Sequence, residues 1–353
     1  MFKDKDREPD FNNLKLVLEK KPTPRPVLFD FIIGDEKAKM LIGDQYNDET
    51  EMDRVRSNIK AFESAGYDFA PILVRGLLFT RNTSDDTHKQ TKSLNSGAVI
   101  TDRKSYNAYI WPEIEQCDFS IIKKASSWLH PKAKFVPFSY DGILENTIGI
   151  VGYENLCYLL FDDLDLVEEI FKKVGSRMYK YYEALIDFDE VGAIICNDDW
   201  GFNSQTMLPP DIMRKFVFPW YKKIVELAHS RNKYAILHSC GYFEEIIDDI
   251  IDDMKFDARH SYEDKIMPVE KAYKLFNPRI AILGGMDIDF LARKTSKEIY
   301  DRCKQMLTNT RNTGGYALGS GNSIPDYISN KNFQALLRPA LEGYDKGDNY
   351  DKK

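Results

Sequence analysis

Cysteine and histidine are both scarce here, five of each in 353 residues, and no C-x-x-C occurs anywhere. An odd set of scattered cysteines (Cys117, Cys157, Cys196, Cys240 and Cys303) argues against a disulfide framework and for free thiols in a reducing compartment. No stretch approaches eighteen uninterrupted apolar residues. The start, "MFKDKDREPDFNN", is charged where a secretory leader needs an apolar segment, so neither a membrane span nor export is expected, and a cytoplasmic location is. Positive charge is not in excess either: 49 Lys and Arg against 56 Asp and Glu leave a net charge of −7, which argues against a phosphate-tracking surface and nucleic-acid partners. A G-x-G-x-x-G after the first candidate strand, the usual dinucleotide fingerprint, is also missing.

What is present is an ordinary globular composition, 43% apolar and 30% charged, in a chain long enough for one large core or two ordinary domains. Eight short apolar runs recur: residues 25–33, 69–75, 135–142, 191–201, 234–241, 256–262, 280–287 and 316–322. Each reads as a strand covered on both faces, and segments of helical period, such as 211–232 and 296–312, separate most of them. Eight strand–helix units predict a (β/α)8 TIM barrel, with a doubly wound open sheet as the runner-up. Residues 80–130 break the rhythm. The alternating "SGAVITDRKSYNAYIWP" within them predicts a hairpin inserted over the barrel mouth. The charged ends predict disordered tails over 1–13 and 346–353, leaving one barrel domain over 14–345.

Candidate chemistry gathers where the runs end in polar residues, the active face of such a barrel. In "AILHSCG" the period of two sends His238 and Cys240 to the same side, where imidazole and thiolate can share a zinc ion. The plainer alternative is a buried strand terminus. "CNDDWGF" supplies Asp198 and Asp199, able to bind a cation or orient a substrate, or simply to cap a turn. "HSYED" offers His260, Tyr262 and Glu263, any of which can be a third ligand, and Glu145 opens a helix after "YDG" as a first-turn acid. "ALGSGNSIP" brings Asn322 and Ser323 beside glycines that let a ligand approach the backbone. Trp200, Phe202, Tyr242, Tyr262 and Tyr316 fall near strand ends, where they form either an aromatic mouth lining or barrel-top packing.

Together "DGILENTIGIVGYENL", "NDDWGF", "LHSCG", "ILGGMD" and "GSGNSIP" resemble, in order and spacing, the uroporphyrinogen decarboxylase superfamily over about residues 14–345. The resemblance implies a single (β/α)8 barrel. It also implies one of two activities, decarboxylation of a tetrapyrrole or zinc-dependent methyl transfer with a corrinoid. The arginine-rich R-x-x-G-R of the decarboxylases is missing from "PTPRPVLFDFIIGDEKAKM", whereas the H-x-C is similar to the zinc motif of the methyltransferases, carried by His238 and Cys240. Methyltransferases that activate a thiol place a second cysteine where this chain has Asn322.

A zinc ion with one thiolate keeps more positive charge and favours oxygen donors. The expectation is therefore demethylation of a small O-methyl substrate, the methyl passing to cobalamin or another corrinoid. Glu145 or Glu263 would complete the metal site, Asp198, Asp199 and Glu145 would act in catalysis, and Trp200, His260, Tyr262, Asn322 and Tyr316 would contact substrate. The expected partners are that substrate, a corrinoid-binding protein and a second copy of the chain in a homodimer. A metal-free carboxy-lyase using Arg75 or Arg259, and a ligand-binding barrel without catalysis, are the alternatives.

Overall fold

The computed structural model describes residues 7–82 and 93–344. Seven parallel strands form one curled sheet in sequence order, β1 (Phe69–Leu73), β2 (Lys134–Phe138), β3 (Ala193–Asn197), β4 (Tyr234–His238), β5 (Ala258–His260), β6 (Ala281–Leu283) and β7 (Tyr316–Ala317). Sequential parallel order with helical crossovers is the pattern of a TIM-like barrel, and each strand falls inside one of the apolar runs except β2, which starts one residue ahead of its run. The segment 211–232 divides into helices Pro210–Phe216 and Phe218–Ser230, and 296–312 becomes the helix Ser296–Thr310, started by a Thr295/Glu298 capping box. The longest helix, Leu164–Ile186, buries Leu166, Ile170, Val174, Met178 and Leu185 on one stripe. Among the described residues no helix is long and apolar enough to cross a membrane.

The first run, 25–33, does not form a strand. Leu28 bridges Leu318 and Ile33 bridges Ile324, both in parallel, and among the described residues no ladder joins the segment to β1. Pro26 lacks an N–H for such a ladder. On the β1 side, side chains close the gap: Phe29 stacks on Phe69 at 5.3 Å, Arg25 pairs with Asp68 at 2.5 Å, and the Tyr67 hydroxyl donates to Asp30 at 2.6 Å.

Two further expectations need correction. The hairpin over the mouth is not there among the described residues; residues 83–92 of its interval lie outside them. Asp102 accepts from the Ser105 N–H and starts the helix Arg103–Ala108, while the N–H groups of Val99 and Ile100 both donate to the Ile150 carbonyl, so no sister strand is left to pair. Residues 7–13, expected in a tail, belong to the folded unit. The buried Arg7 guanidinium donates to the carbonyls of Gly66, Ala340 and Pro26 at 2.9–3.0 Å, and the helix Phe11–Leu18 is capped by Asp10. The tail expected over 346–353 lies outside the described residues.

Candidate metal centre

Register decides which side chains meet at the mouth. His238 ends β4 opposite Asn197 on β3 and His260 on β5, and residues in register point to the same side of a parallel sheet. Two residues beyond each strand end, Asp199 and Cys240 keep that side. The Cys240 N–H donates to Asp199 Oδ1 at 2.8 Å, and Cys240 Sγ lies 3.7 Å from His238 Nε2. One ligand atom from each of Asp199, His238 and Cys240 falls within 4.8 Å of the others. Gly241 makes the tight exit from β4 at φ +83°, where a Cβ would overlap the Gly201 backbone. Around the sulfur, Asn322 Nδ2 donates at 3.2 Å and Ser261 Oγ at 3.4 Å. Ser261 takes the left-handed conformation, φ +85°, uncommon for a residue with a side chain.

The electrostatics suit a metal. Burial, then the neighbouring His260 and Arg259, hold His238 well below the ordinary imidazole value, so the ring is neutral. Burial, then the Asp199 charge, push the Cys240 thiol well up; a divalent cation is the partner that converts such a thiol to thiolate. The His238 ring packs on Phe31 at 4.5 Å. Phe31 in turn lines a cavity of about 280 Å³, and a larger one of about 730 Å³ shares Leu73, Arg75 and Tyr140 with it and extends to Asp141 and Asn146.

Residues 144–341 match the family model for uroporphyrinogen decarboxylase (URO-D), more than half of the chain. The chain belongs to the uroporphyrinogen decarboxylase family. None of the curated proteins matches it. Among solved structures, a methyltransferase from Methanosarcina mazei is similar with a TM-score of 0.70 at 18% identity, covering 94% of this chain and 97% of that one. An endo-1,4-beta-mannanase from Eisenia fetida gives a TM-score of 0.48 at 11% identity, covering 92% of this chain and 94% of the other.

In this member of the uroporphyrinogen decarboxylase family, the expected site residues divide sharply. The structure brings His238 and Cys240 together with Asp199, expected in catalysis, while Asn322, expected to contact substrate, donates to the Cys240 sulfur, and Glu263, expected as a ligand, accepts the Gly241 N–H on Oε1 at 3.2 Å. Asp198 points the other way, into the helical layer. Its carboxylate accepts the N–H groups of Leu144 and Glu145, Trp200 Nε1 and the Tyr221 hydroxyl, each at 2.9 Å, and is fully buried, so Asp198 holds the start of helix Ile143–Val151. Trp200 is buried beside it against Phe218 and Tyr221. Tyr316 is buried too, donating to the Gly284 carbonyl and packing on Tyr273.

Tyr262 is buried against Phe243 and Arg259, and His260 is fully buried behind His238, at 2.7 Å between their Nδ1 atoms. None of these four aromatic rings is among the residues lining the two cavities described above; at these strand ends, layer packing uses the same residue types as a mouth lining. Glu145 stays near the site. Burial raises its carboxyl well above the ordinary range, helped by the charges of Asp198, Asp199 and Asp141. Four donors stabilise the charged form of Asp198, so of the two carboxyls Glu145 is the one that takes up a proton more readily.

Proposed function

We propose that the chain is a zinc-dependent methyltransferase that moves a methyl group between a small O-methyl substrate and a corrinoid carried by a partner protein. The observation that carries this is the convergence of His238 Nε2, Cys240 Sγ and an Asp199 oxygen at the barrel mouth. One neutral imidazole, one sulfur and one carboxylate are a donor set that zinc accepts, and three protein ligands leave a position open for a reactant. The residues therefore fit the ion. When bound there, zinc would supply Lewis acidity to an oxygen in the open position, and the low thiolate count favours oxygen over sulfur. The barrel likeness to the methyltransferase from Methanosarcina mazei supports the same class.

The chain's own residues supply the rest. Asn322 and Ser261 donate to the Cys240 sulfur and hold it in place. An oxygen that loses its methyl group needs a proton to leave as a hydroxyl, and Glu145, whose carboxyl is raised by burial and by the neighbouring Asp198, Asp199 and Asp141 charges, is the acid placed to give one. The cavities beside Phe31 and Tyr140 offer apolar space for the substrate body. The carboxy-lyase alternative needs a cation aimed into the mouth. Of its candidates, Arg75 lines both cavities but is paired with Glu51 at 3.7 Å, and Arg259 is buried over the Phe243 ring at 3.6 Å; Arg81, on the larger cavity, is held by Asp141 at 2.6 Å.

The test is metal content and methyl transfer on the purified full chain. Stoichiometric zinc that is lost in Cys240→Ala and Asp199→Ala, together with methylcobalamin formed from cob(I)alamin and an O-methyl donor, is the expected result. Wild-type protein without zinc, or zinc retained by His238→Ala, sinks the reading.

A further inference from the structure

We infer that His260 is a positioning residue that fixes the tautomer of His238 and so presents a bare Nε2 lone pair to the metal position; this rests on the proposed role of His238 as a ligand. The two rings meet Nδ1 to Nδ1 at 2.7 Å, too close for anything but one donor and one acceptor. His260 Nε2 lies 3.0 Å from the Ser320 carbonyl oxygen, which can only accept. The His260 proton therefore sits on Nε2, its Nδ1 is the acceptor, and the proton between the rings belongs to His238 Nδ1. A neutral imidazole carries one N–H, which leaves His238 Nε2 unprotonated on the side where Cys240 Sγ lies 3.7 Å away. Both rings are buried, and burial opposes a charged imidazolium there.

The carbonyl at the head of this relay is itself held. The Ser320 N–H donates to Asp30 Oδ1 at 2.9 Å, and the Tyr67 hydroxyl donates to Asp30 Oδ2 at 2.6 Å. The chain of bonds thus runs from the seam at residues 25–33, through Ser320 in the loop after β7 and His260 on β5, to His238 on β4. Gly284 leaves room for it: at φ +65° a Cβ there would overlap the Ser320 carbonyl oxygen and come within 2.7 Å of His260 Nε2. Phe29 and Phe31, at 5.2 and 5.8 Å from the His260 ring, pack hydrocarbon against the pair, and such surroundings strengthen a hydrogen bond. A partner that fixes a ligand imidazole in this way changes metal affinity by about 10–100-fold when removed.

Two measurements test the inference. In metal-free wild-type chain labelled with ¹⁵N-histidine, long-range ¹⁵N–¹H correlation should show His238 protonated at Nδ1 and bare at Nε2, with His260 the reverse; five histidines in all make the spectrum assignable. His238 bearing its proton on Nε2, or an imidazolium shared by the pair, overturns the proposal without any metal being added. Zinc titrated against a chromophoric chelator should bind His260→Leu about 10–100-fold more weakly than wild type, and His260→Asn, whose Oδ1 replaces the Nδ1 acceptor, should recover most of the loss. Equal affinity in His260→Leu and wild type overturns it as well. A wild-type chain with the expected tautomers that binds no zinc would instead refute the proposed function and leave the hydrogen-bond relay standing.

Discussion

Replacing Asp198 by Asn separates a structural carboxylate from a catalytic one. Three donors converge on Asp198 Oδ2 (Leu144 N, Trp200 Nε1 and the Tyr221 hydroxyl) and one, Glu145 N, on Oδ1, all at 2.9 Å. An Asn in its better orientation keeps its oxygen toward the three and turns its NH₂ against the fourth. That leaves a buried N–H without an acceptor, at about 1–3 kcal/mol, and weakens three charge-assisted bonds to neutral ones. Burial, which lifts the Asp198 carboxyl to about 7, penalises the charged form and offsets part of this. The net expectation is a loss of about 2–4 kcal/mol in unfolding free energy, measured by urea titration of the metal-free chain with Trp200 as a fluorescent reporter. Faster amide exchange at Leu144 and Glu145 should accompany it, because those two N–H groups lose their cap. A variant within about 0.5 kcal/mol of wild type that had nevertheless lost methyl transfer would refute the reasoning and return Asp198 to the chemistry.

Three other outcomes are expected. Glu145 has a folded-state pKa above its ordinary 4.5, so it binds its proton more tightly folded than unfolded, and wild-type stability falls as pH rises from 4.5 toward the folded value; Glu145→Gln should be at least as stable as wild type at about pH 8 by thermal melting, yet slower in methyl transfer by about 10²–10⁴-fold. Asn322→Cys brings a second thiol to the sulfur that Asn322 now contacts at 3.2 Å; under reducing conditions its cobalt-substituted form should show a stronger sulfur-to-metal charge-transfer band, and transfer from O-methyl donors should fall. Gly284→Ala forces a left-handed alanine against Ser320 and His260; it should lower both zinc affinity and melting temperature, and an unchanged affinity would contradict the contact.

The barrel was legible because its strands, buried on both faces, are written as apolar runs that local pattern alone identifies. His238 and Cys240 were legible for a similar reason, since alternation by two needs no neighbour. The roles of Asp198 and Asp199 were not, because they depend on register: only the pairing of Asn197 with His238 shows that Asp199 shares the ligand side and Asp198 faces the helices. The same parity, counted from Asn197, was the available signal. The positioning role of His260 is not legible in the sequence because its partner lies on the neighbouring strand, 22 residues away. The first run reads as a strand in the sequence because composition does not reveal that Pro26 and Asp30 commit its backbone and side chains elsewhere. The hairpin failed because capping by Asp102 outweighed alternation.

Six backbone ladders hoop the sheet, while between β1 and the segment 25–33 the fastening is made by side chains. That fastening is also the roof of the ligand histidine, since Phe31 lies on His238 and Asp30 anchors the carbonyl that His260 reads. Spreading this gap would uncover the imidazole pair in the same motion that unfastens the hoop. Loss of metal affinity and loss of structure on heating should therefore coincide as one event, with no intermediate that keeps its shape after its centre has come apart.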